Sequence, residues 1–184
     1  MKIVKYLSKV DSEKCNGDKH CEKYCPSGAI KVVEKKAVVD EDRCVACGKC
    51  YEACGEGAVQ LIERTEPITI FTDPDTVDQL EIQQLCEKAG VMPDISICPC
   101  TKTTPKEIAA AIIKGAKSPE DIVLMTGTGA GCGVYCIAIV FRMFAAADII
   151  IEDDPRWHNM TLMADDVPES IKSEHPVYRF GELF

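Results

Sequence analysis

The chain has 184 residues, a formal net charge of −9 and the composition of an ordinary globular protein, except for its twelve cysteines. This length allows one medium-sized domain or two small ones. The negative charge comes from residues 67–184, which carry 9 basic and 18 acidic side chains, whereas residues 1–66 carry 12 of each. Nucleic-acid binding requires a basic surface, so this charge distribution argues against it.

The cysteines indicate a metal-binding protein of a reducing compartment. A disulfide-rich protein normally needs an oxidising compartment and a secretion signal. Residues 1–15 contain neither the apolar stretch nor the cleavage site of such a signal. The most apolar segment, Cys136–Ile151, is interrupted by Arg142 and Asp148, so no membrane span is predicted. We therefore expect a cytoplasmic chain that binds metal through its thiolates.

A repeat of 29 residues organises the first part of the chain. Three cysteines recur at this spacing, so that Cys15, Cys21 and Cys25 align with Cys44, Cys50 and Cys54. The second copy reads Cys-x2-Cys-x2-Cys-x3-Cys, and in the first copy Asp18 stands at the position of Cys47. Two-residue gaps allow a tight loop to turn several thiolates toward one metal centre, so each copy predicts an iron–sulfur loop.

The duplicated cysteine run resembles that of two-cluster bacterial ferredoxins, in which the fourth cysteine of each run binds the other cluster. The resemblance implies an α+β chain that opens with a ferredoxin-like βαββαβ domain over residues 1–66, holding two [4Fe–4S] clusters. The ligands it implies for the first cluster are Cys15, Asp18, Cys21 and Cys54. Those it implies for the second cluster are Cys25, Cys44, Cys47 and Cys50.

Asp18 departs from the usual four-cysteine pattern. A carboxylate is a harder donor than a thiolate and exchanges more easily at iron. Similar ferredoxins with Asp at this position hold a cluster with a labile iron, which implies either a [4Fe–4S] cluster with one Asp ligand or a [3Fe–4S] cluster. The alternative is a purely structural role, because Asn16-Gly17-Asp18 also favours a turn.

Short strands are predicted around the cysteine loops, at Ile3–Leu7, Ala29–Val33, Ala37–Val39 and Ala58–Ile62. Residues 67–94 are predicted to connect two domains and to contain one helix. A further strand is predicted at Ile68–Thr72, and Asp75–Lys88 has apolar residues at helical spacing before Gly90. Cys86 lies on the apolar side of this helix, so we expect a buried small hydrophobe rather than a ligand.

A second group of cysteines follows, with Cys98-Pro99-Cys100 separated by 31 residues from Cys132-x3-Cys136. Three helices are predicted in this part, beginning with capping boxes at Thr104–Glu107 and Ser118–Asp121 and ending with Tyr135–Ala147. The glycine-rich Thr126–Gly131 lacks the Lys-Ser/Thr of a phosphate-binding loop. We expect it to wrap its backbone around a metal cluster.

This arrangement resembles the bacterioferritin-associated ferredoxin-like [2Fe–2S] domain, over Ile95–Ala147. The resemblance implies a small helix–turn–helix domain over residues 95–148 and a [2Fe–2S] cluster. The implied ligands are Cys98, Cys100, Cys132 and Cys136. The second pair is separated by three residues here, where the family usually has two. A zinc site remains an alternative, because four cysteines also form a closed tetrahedral site.

The last segment, residues 149–184, is predicted to be an irregular tail and a possible partner-docking segment. No catalytic motif for substrate conversion is present in the sequence. We therefore expect an electron-transfer subunit that relays electrons through three clusters, between a redox enzyme subunit and a carrier in an anaerobic oxidoreductase complex. The alternatives are a free polyferredoxin and a protein of metal or cluster delivery or redox sensing.

Overall fold

The N-terminal part of the computed structural model, which describes residues 2–152 and 168–174, has strands and short helices in βαββαβ order. The elements are β1 (Lys2–Val10), α1 (His20–Lys23), β2 (Ile30–Val33), β3 (Lys36–Val39), α2 (Lys49–Ala53) and β4 (Val59–Ile70). This order confirms the predicted α+β class and the ferredoxin-like arrangement of the first domain.

Two antiparallel pairs of strands frame the cysteine loops. β1 pairs with β4, from Lys2 opposite Ile70 to Val10 opposite Val59, and β2 pairs with β3 in a hairpin. β4 joins the two strands predicted at Ala58–Ile62 and Ile68–Thr72 into one. The register shifts between Val4 and Tyr6 of β1. This irregularity accommodates Pro67, which has no N–H for a regular ladder. β4 thus crosses residue 66, the predicted end of the first domain.

The 29-residue repeat extends to the backbone conformation. Gly17 and Ala46 have φ of 77° and 50°, and Lys19 and Gly48 have φ of 65° and 80°. Each pair is 29 residues apart, although the residue types differ. Gly17 is required by space as well, because a Cβ atom there would lie 2.5 Å from the carbonyl oxygen of Lys35. The two cysteine loops are therefore built on the same turns.

Helices form the second part of the chain. They are α3 (Gln79–Lys88), α4 (Pro105–Ile113), α5 (Pro119–Thr126) and α6 (Ile137–Ala146). α3 begins four residues later than predicted, because Pro74–Thr76 forms a separate 3-10 turn and the Asp78 side chain caps the helix at Leu80 N–H. Cys86 is fully buried among the apolar side chains of these helices, as expected.

One of the two predicted capping boxes is wrong. The Ser118–Asp121 box is present, with both reciprocal hydrogen bonds. At Thr104, the side chain makes no capping hydrogen bond with the described residues. Glu107, the expected partner, is instead buried, and its Oε1 accepts a hydrogen bond from Thr72 N–H at 3.5 Å. The glutamate therefore connects α4 to the end of β4 rather than closing its own helix.

The predicted tail contains a short helix, α7 (Glu169–Glu174), which differs from the irregular structure expected there. The remainder of the possible docking segment, at 153–167 and 175–184, lies outside the described residues. Among the helices that the structure describes, none combines the length and the apolar character needed to cross a membrane.

A hydrophobic cluster joins the N-terminal domain to the helical part. It combines Val4, Val45 and Ile70 from the first with Val123, Ala130, Ile137 and Phe141 from the second. Buried apolar area of this kind stabilises a fixed arrangement. The two cysteine-rich parts therefore share a core, which fixes the positions of the adjoining cysteines of one part relative to those of the other.

Candidate metal centres

The first predicted ligand set lines one small cavity. Its four members, Cys15, Asp18, Cys21 and Cys54, come from both halves of the repeat. Burial raises the pKa of the Cys21 thiol to about 11, which shows how little solvent stabilises a free thiolate there. A bound metal centre would supply the positive charge that the thiolates need.

Asp18 lines this cavity and also takes part in a turn. Its N–H donates to Asn16 Oδ1 at 3.0 Å, and its Oδ1 accepts from His20 N–H at 3.0 Å. Its Oδ2 lies 3.3 Å from Nδ1 of His20. The hydrogen bond from the His20 backbone is the main cause that lowers the pKa of the Asp18 carboxyl. The side chain is therefore kept as a carboxylate, which is the form that binds iron.

The second predicted ligand set surrounds the buried Cys50. Its thiol lies close enough to Cys25, Cys44 and Cys47 for their charges to raise its pKa, although burial contributes more. Ser8, on β1, contacts two of these sulfurs. Its N–H donates to Cys44 Sγ at 3.4 Å, and its Oγ lies 3.1 Å from Cys50 Sγ.

Backbone N–H groups donate to four cysteine sulfurs in a pattern that follows the repeat. The bonds are Ala37 to Cys15 at 3.4 Å, Ser8 to Cys44 at 3.4 Å, Ala29 to Cys25 at 3.2 Å and Ala58 to Cys54 at 3.4 Å. A spacing of 29 residues relates the first bond to the second and the third bond to the fourth. Hydrogen bonds to sulfur stabilise thiolate ligands and help to set the potential of an iron–sulfur cluster.

The third predicted ligand set forms two pairs. Each pair has one cysteine from the Cys98–Cys100 motif and one from the Cys132–Cys136 motif. Cys98 and Cys136 are buried, and their side chains interact with each other. This interaction lowers the pKa of Cys98 and, together with burial, raises the pKa of Cys136. Cys100 and Cys132 are exposed, and Cys132 N–H donates to Cys100 Sγ at 3.5 Å. One pair thus faces the core and the other faces the surface.

The glycine-rich loop lies directly on this third set. The backbone of Gly129 contributes to lowering the pKa of the Cys98 thiol, and Gly131 leaves room for the Cys100 side chain. The Thr128 hydroxyl between them is buried and has no hydrogen-bond partner among the described residues. A buried polar group of this kind needs a partner, which a sulfur of a bound cluster can supply. The residues present therefore fit a cluster better than an apolar core.

No three His, Cys, Asp or Glu side chains within residues 2–152 and 168–174 are arranged around a single metal ion. Ligands of a cluster bind different iron atoms, so they need not converge on one point.

Comparison with family models assigns both cysteine-rich parts. Residues 7–55 match the model of a 4Fe-4S dicluster domain, and residues 96–146 match that of a BFD-like [2Fe-2S] binding domain. The chain carries two different iron–sulfur domains. Both predicted resemblances are thereby confirmed, and an electron-transfer role is supported. The match of the second domain favours [2Fe–2S] over the zinc alternative. None of the curated proteins compared with the chain matches it.

Three residues beside these domains' ligand sets were missed by sequence reasoning, namely Ser8, Lys2 and Lys49. Lys49 lies between two ligands, and this adjacency was an available signal. Ser8 aligns with Ala37 under the 29-residue repeat, so the repeat could have located it. Lys2 is separated from every cysteine by at least twelve positions, and only the pairing of β1 with β4 brings it to the site.

Proposed function

We propose that the chain is an electron-transfer subunit that relays electrons through three iron–sulfur clusters. The relay connects a redox enzyme subunit, such as a flavoprotein, a hydrogenase or a molybdenum/tungsten enzyme, with a carrier in an anaerobic oxidoreductase complex. We also propose a cytoplasmic location, because none of the twelve cysteines, all of which lie within residues 2–152 that the structure describes, forms a disulfide, which suits a reducing compartment.

The observation that carries this proposal is the proximity of the second and third ligand sets. Cys47 of the second set packs against the hydrophobic cluster that contains Cys98 and Cys136 of the third. Electron transfer between centres falls off steeply with distance, so a relay needs its centres close together. Two independent storage or structural sites would have no such requirement.

The proposed ligands are those expected from the sequence. The first set is Cys15, Asp18, Cys21 and Cys54, the second is Cys25, Cys44, Cys47 and Cys50, and the third is Cys98, Cys100, Cys132 and Cys136. Clusters bound there supply one-electron chemistry. The chain itself holds the thiolates in place, donates N–H groups to their sulfurs and excludes water from the inner pairs.

The outer end of the proposed relay is the exposed pair of the third set. Cys100 and Cys132 are both exposed, and the neighbouring Val134 and Tyr135 are exposed by 59% and 75%. Apolar and aromatic side chains at the surface are common in protein–protein contacts. A partner protein can therefore approach this ligand pair closely.

The same exposure supports the second candidate function, metal or cluster delivery or redox sensing. A cluster held partly by exposed thiolates is accessible to an acceptor protein or an oxidant. The free polyferredoxin differs from the proposed subunit only in having no stable partner. The test must therefore separate three outcomes.

The deciding experiment is anaerobic purification of the full chain from its native source, followed by gel filtration and metal analysis. The proposal predicts co-elution with a redox enzyme, about ten iron atoms per chain and reversible reduction by dithionite with reoxidation by the partner. A stable monomer with the same iron content favours the free polyferredoxin. Transfer of clusters to an apoprotein without reversible electron donation contradicts the relay.

A further inference from the structure

Two lysines of the N-terminal domain extend across the domain interface to the glycine-rich loop of the [2Fe–2S] domain. Lys2 begins β1, and its Nζ donates to the carbonyl oxygen of Val45 at 3.1 Å. Val45 lies between two ligands of the second set in the sequence. The aliphatic part of the same side chain lies over Gly127, where an added Cβ atom would be 3.3 Å from Lys2 Cδ.

Lys49 approaches the same loop from the other side. It begins α2, between two ligands of the second set, and its Nζ donates to the carbonyl oxygen of Gly129 at 3.3 Å. An added Cβ atom at Gly133, next to Cys132, would lie 2.7 Å from this ammonium nitrogen. Gly127 and Gly133 therefore leave room for the two lysine side chains, just as Gly131 leaves room for Cys100.

The ammonium group of Lys2 is close to cysteines of both sets, and that of Lys49 lies between a cysteine of the second set and the loop of the third. Burial lowers the pKa of the half-buried Lys2, and the charges of second-set Cys44 and Cys47 and third-set Cys98 and Cys100 oppose this shift. Lys49 is half-buried as well, and it attracts Cys47. A partly desolvated charge acts over a longer distance than one in water, because the surrounding dielectric constant is lower. Lys2 therefore acts on both centres, and Lys49 acts on the second centre from a position beside Gly133, the neighbour of Cys132 of the third.

We propose that Lys2 and Lys49 form a cationic bridge that raises the reduction potentials of the second and third clusters together. The inference rests on the proposed function, because it requires both clusters to be redox-active. Each one-electron reduction, with the electron supplied by the reductant, adds one negative charge beside both ammonium groups. A fixed cation stabilises this reduced state more than the oxidised state, and net charge is one of the factors that set cluster potentials.

The bridge shifts the reduction potentials of the second and third clusters of the relay in the same direction. The cavity of the first ligand set is lined by neither lysine. We therefore expect its potential to be independent of the bridge. The lysines are positioning residues in this scheme, since they act through the ligands and carry no electron themselves.

The test is an EPR-monitored potentiometric titration of the full chain with its clusters. The variants Lys2→Met and Lys49→Met remove one charge while keeping most of the side-chain length, and Lys2→Arg retains the charge. Lys5→Met is the matched control, because Lys5 is an exposed lysine on the same strand. We expect each Met variant to raise the oxidised-to-reduced ratio of both clusters about tenfold at a fixed potential, or about 59 mV for a one-electron couple.

Lys2→Arg and Lys5→Met are expected to titrate like the unaltered chain, and the first cluster is expected to be unaffected in every variant. Unchanged potentials in both Met variants, or an equal shift of all three clusters, overturn the bridge. If the unaltered chain gives no reducible [2Fe–2S] signal, the three-cluster relay fails together with the bridge. If all three signals are present but insensitive to the lysines, only the bridge fails.

Discussion

Gly131 and Cys100 approach so closely that a methyl group on Gly131 would lie 2.5 Å from the Cys100 Cβ atom and 2.6 Å from its sulfur. Real Cβ atoms do not make such contacts, so an alanine at position 131 must displace the cysteine. We expect Gly131→Ala to lose the [2Fe–2S] cluster in most chains, with the iron content falling by about two atoms per chain. Iron and acid-labile sulfide analysis of anaerobically purified protein measures this loss.

Gly55→Ala is the matched control for this substitution. Gly55 follows a ligand of the first set, and an added Cβ atom there would meet no described atom within 4 Å. Its iron content is expected to equal that of the unaltered chain. Retention of all iron in Gly131→Ala would show that Cys100 does not occupy this position when it binds the cluster.

Asp18 combines a turn with a position in the first cavity, and two substitutions separate these roles. Asp18→Asn keeps an oxygen to accept the His20 N–H bond but removes the anionic ligand. Asp18→Cys supplies a thiolate, which binds iron more firmly. If Asp18 binds iron, we expect Asp18→Cys to give a [4Fe–4S] cluster less sensitive to oxygen, and Asp18→Asn to favour a [3Fe–4S] signal. EPR before and after brief exposure to air measures both changes.

Identical spectra for the Asn variant and the unaltered chain would assign Asp18 to the turn alone. Iron loss from both variants, accompanied by a lower unfolding temperature, would also count against iron binding, because it would show that the turn needs the carboxylate itself. His20→Ala distinguishes the ion pair from the backbone bond, since it removes only the contact at Asp18 Oδ2.

Much of the candidate site is predictable because cluster ligation depends on local spacing. The 29-residue repeat and the two later cysteine pairs predict the ligand sets without knowledge of the fold. The cavity lined by Cys15, Asp18, Cys21 and Cys54 agrees with the expected exchange of the fourth ligand between the halves. Local turns decide these features, and local turns can be read from short sequences.

Features that depend on distant pairing were not predictable. Lys2 reaches the metal centres only because β1 pairs along the whole of β4. Glu107 has the sequence of a capping residue, but burial of α4 against the end of β4 places it beside Thr72 instead. In each case tertiary packing decides between two locally acceptable positions, and a short motif carries no information about that choice.

Substitution of Cys86 tests whether this cysteine, like the others, is a cluster ligand. It is completely buried in the core of the helical part, and burial raises the pKa of its thiol to about 11. We expect Cys86→Ala to keep the full iron content and to lower the free energy of unfolding by about 1 kcal/mol through the small cavity it leaves. Cys86→Ser is expected to cost more, because it buries a hydroxyl group. Loss of iron in Cys86→Ala, at unchanged far-UV circular dichroism, would identify a fourth kind of site.

The buried Glu107 carboxyl is expected to make the stability of the fold depend on pH. Burial raises the pKa of its carboxyl above the usual 4.5, so the folded chain binds this proton more tightly than the unfolded chain does. The contribution of this group to stability is therefore greatest below pH 4.5 and is lost as the pH rises through the raised value. Glu107→Gln keeps an oxygen for the Thr72 N–H and cannot ionise. We expect it to be more stable than the unaltered chain at neutral pH, by about 1 kcal/mol.

Thermal unfolding at one scan rate, from about pH 5 to about pH 8, measures this difference. The unfolding temperature of the unaltered chain is expected to fall relative to that of Glu107→Gln as the pH rises. The reason is that the buried Glu107 carboxyl becomes charged at higher pH, whereas the glutamine side chain stays neutral. Glu66→Gln is the matched control, since Glu66 is exposed on β4 and its substitution should leave the pH profile unchanged. A difference in unfolding temperature between Glu107→Gln and the unaltered chain that does not change with pH would contradict this prediction. It would mean that neighbouring groups stabilise the Glu107 carboxylate as much as burial destabilises it, so that its ionisation does not change the free energy of unfolding.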